Sequence, residues 1–155
     1  MTSLVVRALS AFAIGLSANC AHAEILTVTQ DSFANALEPT QTNGANPVVK
    51  VRGWGSNYGF LRFDVSSLGG RAIASATLNL DVAEIRRGAG GAVELRVVET
   101  AWSPDSLTFD NQPAFGPPLA TLPVFDTDVG GTVSVGLTSL VRGWVDGSIP
   151  NYGLA

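Results

Sequence analysis

Short runs of alternating apolar and polar residues recur along this chain, with glycine and proline between them about every ten residues. In 76–82, ATLNLDV, residues Ala76, Leu78, Leu80 and Val82 fall on one side of an extended backbone. Thr77, Asn79 and Asp81 fall on the other. The same period of two places Leu61, Phe63 and Val65 inward in 61–65, Val93, Leu95 and Val97 inward in 93–97, and Val133, Val135 and Leu137 inward in 133–137. Weaker runs at 25–29, 47–52 and 119–125 add three more strands. Half-buried strands at this spacing, joined by turns such as GAGG at 88–91, predict an all-β antiparallel sandwich or barrel. No internal repeat, low-complexity linker or second domain interrupts the pattern.

One stretch changes period. In 137–147, LTSLVRGWVDG, the apolar positions Leu137, Leu140, Val141, Trp144 and Val145 follow helical spacing. Thr138 or Ser139 is placed to cap the start and Gly147 to end it. The expectation is one short helix near the C-terminus, closing one end of the sandwich over Trp144. Gly143 weakens that helix by about 1 kcal/mol relative to alanine, so packing has to hold it.

The N-terminus reads differently again. Arg7 precedes an apolar run, Ala8 to Ala18, that is too short to span a bilayer, and Ala21-His22-Ala23 fits a small-x-small cleavage pattern. Residues 1–23 are therefore expected to be a signal peptide cut near Ala23, leaving 24–155 as one secreted, extracellular or periplasmic domain. A lipoprotein anchored through Cys20 is the rival reading; Asn19 stands where such a site wants a small residue.

That cut decides what chemistry remains. The only cysteine, Cys20, and the only histidine, His22, lie in the leader. The rest has no thiol and no imidazole, so disulfides, Cys–His nucleophiles and Ser-His-Asp triads drop out. Loss of Arg7 leaves 8 basic against 13 acidic groups, without runs of one sign. This argues against nucleic acid and against a polybasic membrane contact. No second apolar stretch is long enough to cross a membrane.

The blocks LRFDVSSL (61–68), IASATLNLDV (73–82), Trp102 followed by LTFDNQPAFGPPL (107–119), VSVGLTSLVRGWVDG (133–147) and NYGL (151–154) occur in an order that resembles the DNRLRE domain, also catalogued as carbohydrate-binding module family 96. The resemblance spans essentially all of 24–155. It implies a jelly-roll β-sandwich exported by bacteria or archaea, often attached to polysaccharide-degrading enzymes, and in several cases associated with uronic-acid polysaccharides such as alginate. Two departures stand out. Members usually carry an Arg-Glu-Ala-like stretch just before the LRFD strand, where this chain has GSNYGF (55–60). They also continue past NYGL with further strand, so the last strand is expected to be missing here and the domain C-terminally truncated.

A sugar presents C–H faces that stack on aromatic planes, while its hydroxyls and carboxylates need fixed polar partners. The segment 50–62 offers both. Trp54 stands between Gly53 and Gly55; Tyr58 and Arg62 share a strand face opposite Leu61 and Phe63; Lys50 and Arg52 alternate with Val49 and Val51 one strand earlier. Trp54, Tyr58, Arg52, Lys50 and Arg62 are thus the candidate ligand-binding residues, suited to an anionic sugar. The plainer alternative is a solvated or loop-covered face with charge pairs to Asp64 or Asp81. Trp102 and Trp144 read as packing residues, and Arg86-Arg87 as a solvated hairpin tip. No cofactor is expected; the weak candidates for a structural calcium are Asp126 and Asp128, a D-x-D pair beside Gly130-Gly131 that most often marks only a turn.

The function expected is a non-catalytic polysaccharide-binding module, for acidic or cell-wall glycan. The alternative is a structural or adhesive surface module without sugar specificity. A lyase or glycosidase is disfavoured, because no pair of carboxylates is seen to converge on a cleft.

Overall fold

The computed structural model describes residues 3–16, 23–53, 56–86 and 91–155. Among the described residues eight strands and one α-helix follow in the order β1 (Ser3–Leu16), β2 (Glu24–Asn35), β3 (Val48–Arg52), β4 (Asn57–Phe63), β5 (Ile73–Arg86), β6 (Gly91–Val98), β7 (Phe115–Val124), β8 (Thr132–Gly136) and α1 (Thr138–Asp146). Every pairing is antiparallel. One sheet has the order β2-β4-β3-β1-β5-β8, with β1 also pairing β2; β6 and β7 form the second. The chain is an antiparallel β-sandwich, and the strands read from alternation are all present.

The reason these runs are strands is visible in β5. Ala76, Leu78, Leu80 and Val82 are each at most 4% exposed, and burial of a side chain of this kind contributes about 1.5–3 kcal/mol for the larger ones. The opposite face is held by hydroxyls. Thr132 Oγ1 donates to Asp81 Oδ1 and Ser134 Oγ to Asn79 Oδ1, each at 2.7 Å. Slipping β8 by one residue would bury these polar groups and expose Val133 and Val135.

The main core joins these residues to Phe33, Val49, Leu61, Phe63, Leu95, Leu122 and the helix residues Leu140, Val141 and Trp144. A smaller cluster lies on the other face of β4, where Phe60 packs with Ala34, Val98 and Leu107, and with Trp102 and Phe115 at its margin. The outer face of β4, left open between solvent and a covering loop by the sequence, is therefore covered.

The helix ends as expected, with Gly147 in the left-handed region (φ 78°), where glycine has no side-chain penalty. Its start differs. Leu137 is the N-cap and no side chain caps the helix; Thr138 Oγ1 instead accepts from the Ala76 backbone N–H at 3.0 Å, so the hydroxyl ties the helix to β5. Gly143 is also more than a weak point. A Cβ there would lie 2.6 Å from Ile149 Cδ1, so the glycine makes room for the chain that returns beneath the helix.

β1 lies within the segment read as an export leader. It sits between β3 and β5, pairing Ser3–Arg7 with Arg52–Val48 on one side and running from Ser3↔Arg86 to Leu16↔Ile73 on the other. Ile14 is fully buried. The cleavage pattern Ala21-His22-Ala23 falls mostly outside the described residues, as does the Arg87 and GAGG hairpin tip.

The last residues bind two strands together. Leu154 and Leu61 exchange both backbone hydrogen bonds, at 2.8 and 2.9 Å, and Ala155 and Arg96 do the same at 2.8 Å. Residues 153–155 thus lie between β4 and β6.

Candidate functional site

β3 and β4 meet in a hairpin whose pairing is confined to Arg52↔Asn57. Ser56 Oγ donates to the Gly53 carbonyl at 2.9 Å across the turn. The candidate Trp54 lies outside the described residues. Past this hairpin opens a cavity of about 560 Å³ lined by Arg52, Asn57, Tyr58, Gly59, Val93–Arg96, Phe115, Leu154 and Ala155, with Val49, Val51 and Leu80 as its apolar floor.

Its polar groups are few and placed on strand ends. Arg52 and Tyr58 are both half-buried. Asn57 is 4% exposed and its Oδ1 has no hydrogen-bond partner. Arg96 is fixed by three contacts: an ion pair to Glu94 at 2.7 Å, a hydrogen bond to the Gly116 carbonyl at 3.1 Å, and its guanidinium 5.9 Å from the Phe115 ring centre. The Tyr58 ring packs on Phe115 at 5.2 Å and lies stacked 6.2 Å from Phe109, so one of its faces is committed to the protein.

Of the candidate residues, then, the fold brings Arg52 and Tyr58 to one cavity. Lys50 and Arg62 do not line it. The Lys50 ammonium stands 5.2 Å from the ring centre of Phe33, and Arg62 reaches across to Gln30 Oε1 at 3.4 Å. Lys50 parts from Tyr58 because β3 pairs along β1 rather than along β4, and Arg62 lies four residues further along β4 than Tyr58. Arg62 also acts on Asp64, whose carboxyl is held below its usual range by hydrogen bonds from Ser66 and, in smaller part, by that nearby cation.

Asn57, Gly59 and Arg96 went unread as site residues in the sequence. Their place depends on residues 153–155 standing beside β6, a pairing over more than fifty positions that no local pattern announces.

A family model for carbohydrate-binding module family 96 matches residues 23–153. The chain belongs to that family. Searches among curated proteins and among solved structures give no match. Membership makes this a carbohydrate-binding module with a carbohydrate partner, and favours a non-catalytic role.

In this family 96 module the two remaining tryptophans pack. Trp102 donates its indole N–H to the Tyr152 carbonyl at 2.8 Å and lies against Phe60 at 5.6 Å, while Trp144, on the buried face of α1, is 5% exposed. Asp126 and Asp128 form a short 3-10 turn, in which Asp128 Oδ2 accepts from the Phe125 N–H at 2.8 Å. Among the described residues no three or more His, Cys, Asp or Glu side chains gather as a metal site, and no helix is long and apolar enough to cross a membrane.

Proposed function

We propose that the chain is an exported, non-catalytic module that binds an acidic polysaccharide, of the uronic-acid kind, through the β3–β4 hairpin. The observation that carries this reading is the meeting of Arg52 and Tyr58 at one cavity in a member of a carbohydrate-binding family. Arg52 supplies a cation for a sugar carboxylate. Trp54 and the free side of Tyr58 supply rings for C–H faces, and Lys50 and Arg62, on the same pair of strands, extend the positive field. Export rests on the leader composition of residues 1–23.

Affinity electrophoresis in gels containing alginate or pectate tests it. Retardation is expected, weakened by added salt and by Trp54→Ala or Arg52→Ala. Equal mobility with and without every acidic glycan, or retardation that Arg52→Ala leaves intact, defeats the proposal.

A further inference from the structure

The loop between β2 and β3 is pinned at one asparagine. Asn43 is 6% exposed, and its side-chain amide donates to the Phe33 carbonyl of β2 at 3.0 Å. Asn46 closes over it: the Asn46 backbone N–H donates to the Asn43 carbonyl at 3.1 Å, and Asn46 Nδ2 to Asn43 Oδ1 at 3.4 Å. The next residue is fixed as firmly. A Cβ on Gly44 would lie 2.5 Å from the Pro104 carbonyl oxygen and 2.6 Å from Pro104 Cβ, so any side chain there would push away the segment that covers β4. Packing therefore requires an amide at 43 and glycine at 44.

The same two residues make a labile pair. Asn43 is the only asparagine in the sequence followed by a glycine, so no side chain at the next position shields the attacking nitrogen or restrains the backbone. In a mobile chain the Gly44 nitrogen gives up its proton and attacks Asn43 Cγ. The N–Cγ bond forms, the Cγ–Nδ2 bond breaks, and Nδ2 leaves with that proton as ammonia. Water then opens the cyclic imide at either carbonyl, which gives aspartate or isoaspartate. In the fold this route is obstructed. Nδ2 is the leaving group, so closure has to give up its bond to Phe33, and burial withholds the water that opens the ring. Neither product fits the closed loop. A carboxylate at 43 has no N–H for the Phe33 carbonyl and puts a charge in a buried place. Isoaspartate lengthens the main chain by a methylene and moves Gly44 off Pro104.

We propose that Asn43-Gly44 is a spontaneous modification site that records unfolding. The pair is inert while the β2–β3 loop is closed, converts with water as its co-reactant when the loop opens, and leaves a chain that does not regain the loop. This inference is independent of the glycan reading.

The test incubates the full chain at mildly alkaline pH in buffer and in guanidinium chloride, and maps its peptides by mass spectrometry for asparagine, aspartate and isoaspartate. In denaturant, position 43 is expected to convert ahead of every other asparagine. In buffer it is expected to convert slower by on the order of tenfold or more, the weight of one buried hydrogen bond. After the denaturant is removed, limited proteolysis should degrade chains altered at 43 and spare unaltered ones. Gly44→Ala is expected to slow the conversion in denaturant, a reading that does not require the variant to fold. Asn43→Asp should lower the urea midpoint of the fresh protein. Equal rates in buffer and denaturant, another asparagine converting first, or altered chains that refold as completely as unaltered ones overturns the proposal.

Discussion

The indole N–H of Trp102 is bonded to the backbone carbonyl of Tyr152, fifty residues away, at 2.8 Å. This contact fastens the segment that covers β4 to the strand-like residues that separate β4 from β6. Trp102→Ala is expected to cost about 3 kcal/mol through lost packing. Trp102→Phe, which keeps a ring and loses the donor, is expected to cost about 1 kcal/mol. Urea denaturation of the two variants measures both, and equal losses would remove the hydrogen bond from the account.

A glycine inside a helix is ordinarily improved by alanine. At Gly143 the opposite is expected, a loss of about 1 kcal/mol or more, because the added methyl meets the Ile149 side chain. Adding Ile149→Ala should recover part of what Gly143→Ala loses, so the pair is non-additive. Thermal melts of the single and double variants decide it; simple additivity speaks against the contact.

Three carboxyls separate by environment. Burial raises Asp31 above its usual value, partly offset by a backbone hydrogen bond. Hydrogen bonds from Ser66 lower Asp64, and hydrogen bonds from Ser148 lower Asp146. The two lowered groups contribute stability that is present above the ordinary carboxylate value and lost as pH falls through their depressed values. Asp31 has the reverse sign: its charged form costs the fold at higher pH, and the cost disappears as pH falls through its raised value. Carboxyl carbon titration by NMR should find Asp31 protonating first on acidification, with Asp64 and Asp146 later; any other order refutes these causes.

β1 leaves two facing edges when it is withdrawn. A chain of residues 24–155 loses the partner of β3 and of most of β5, together with the buried Ile14. Exposed edges pair with other chains. Sedimentation should therefore show concentration-dependent association of 24–155 that is absent from 1–155; two monomers at matched concentration would show that the remaining strands close without it.

Much of this arrangement can be read directly from the residues. Leu78 and Leu80 alternate with Asn79 and Asp81, and one face of the sheet is then fixed by solubility alone. Residues 8–18 are ambiguous to such a reading, because a short apolar stretch has the composition of an export leader and of a strand alike; β1 spans Ser3–Leu16. The candidate site was half legible. Arg52 and Tyr58 lie near one short turn, and a hairpin brings them to one cavity. The separation of Lys50 from it follows from β3 choosing β1 as its neighbour, a long-range preference absent from the local pattern; Arg62 stands apart because it lies four residues further along β4 than Tyr58.

The position of Leu154 also sets a timetable. β4 and β6 are tied through residues made after both of them, so the seam stays unlaced until residues 153–155 have left the ribosome. Contacts of such long range form slowly. A polypeptide that postpones the tying of two of its strands leaves them free to rearrange while it is being synthesised.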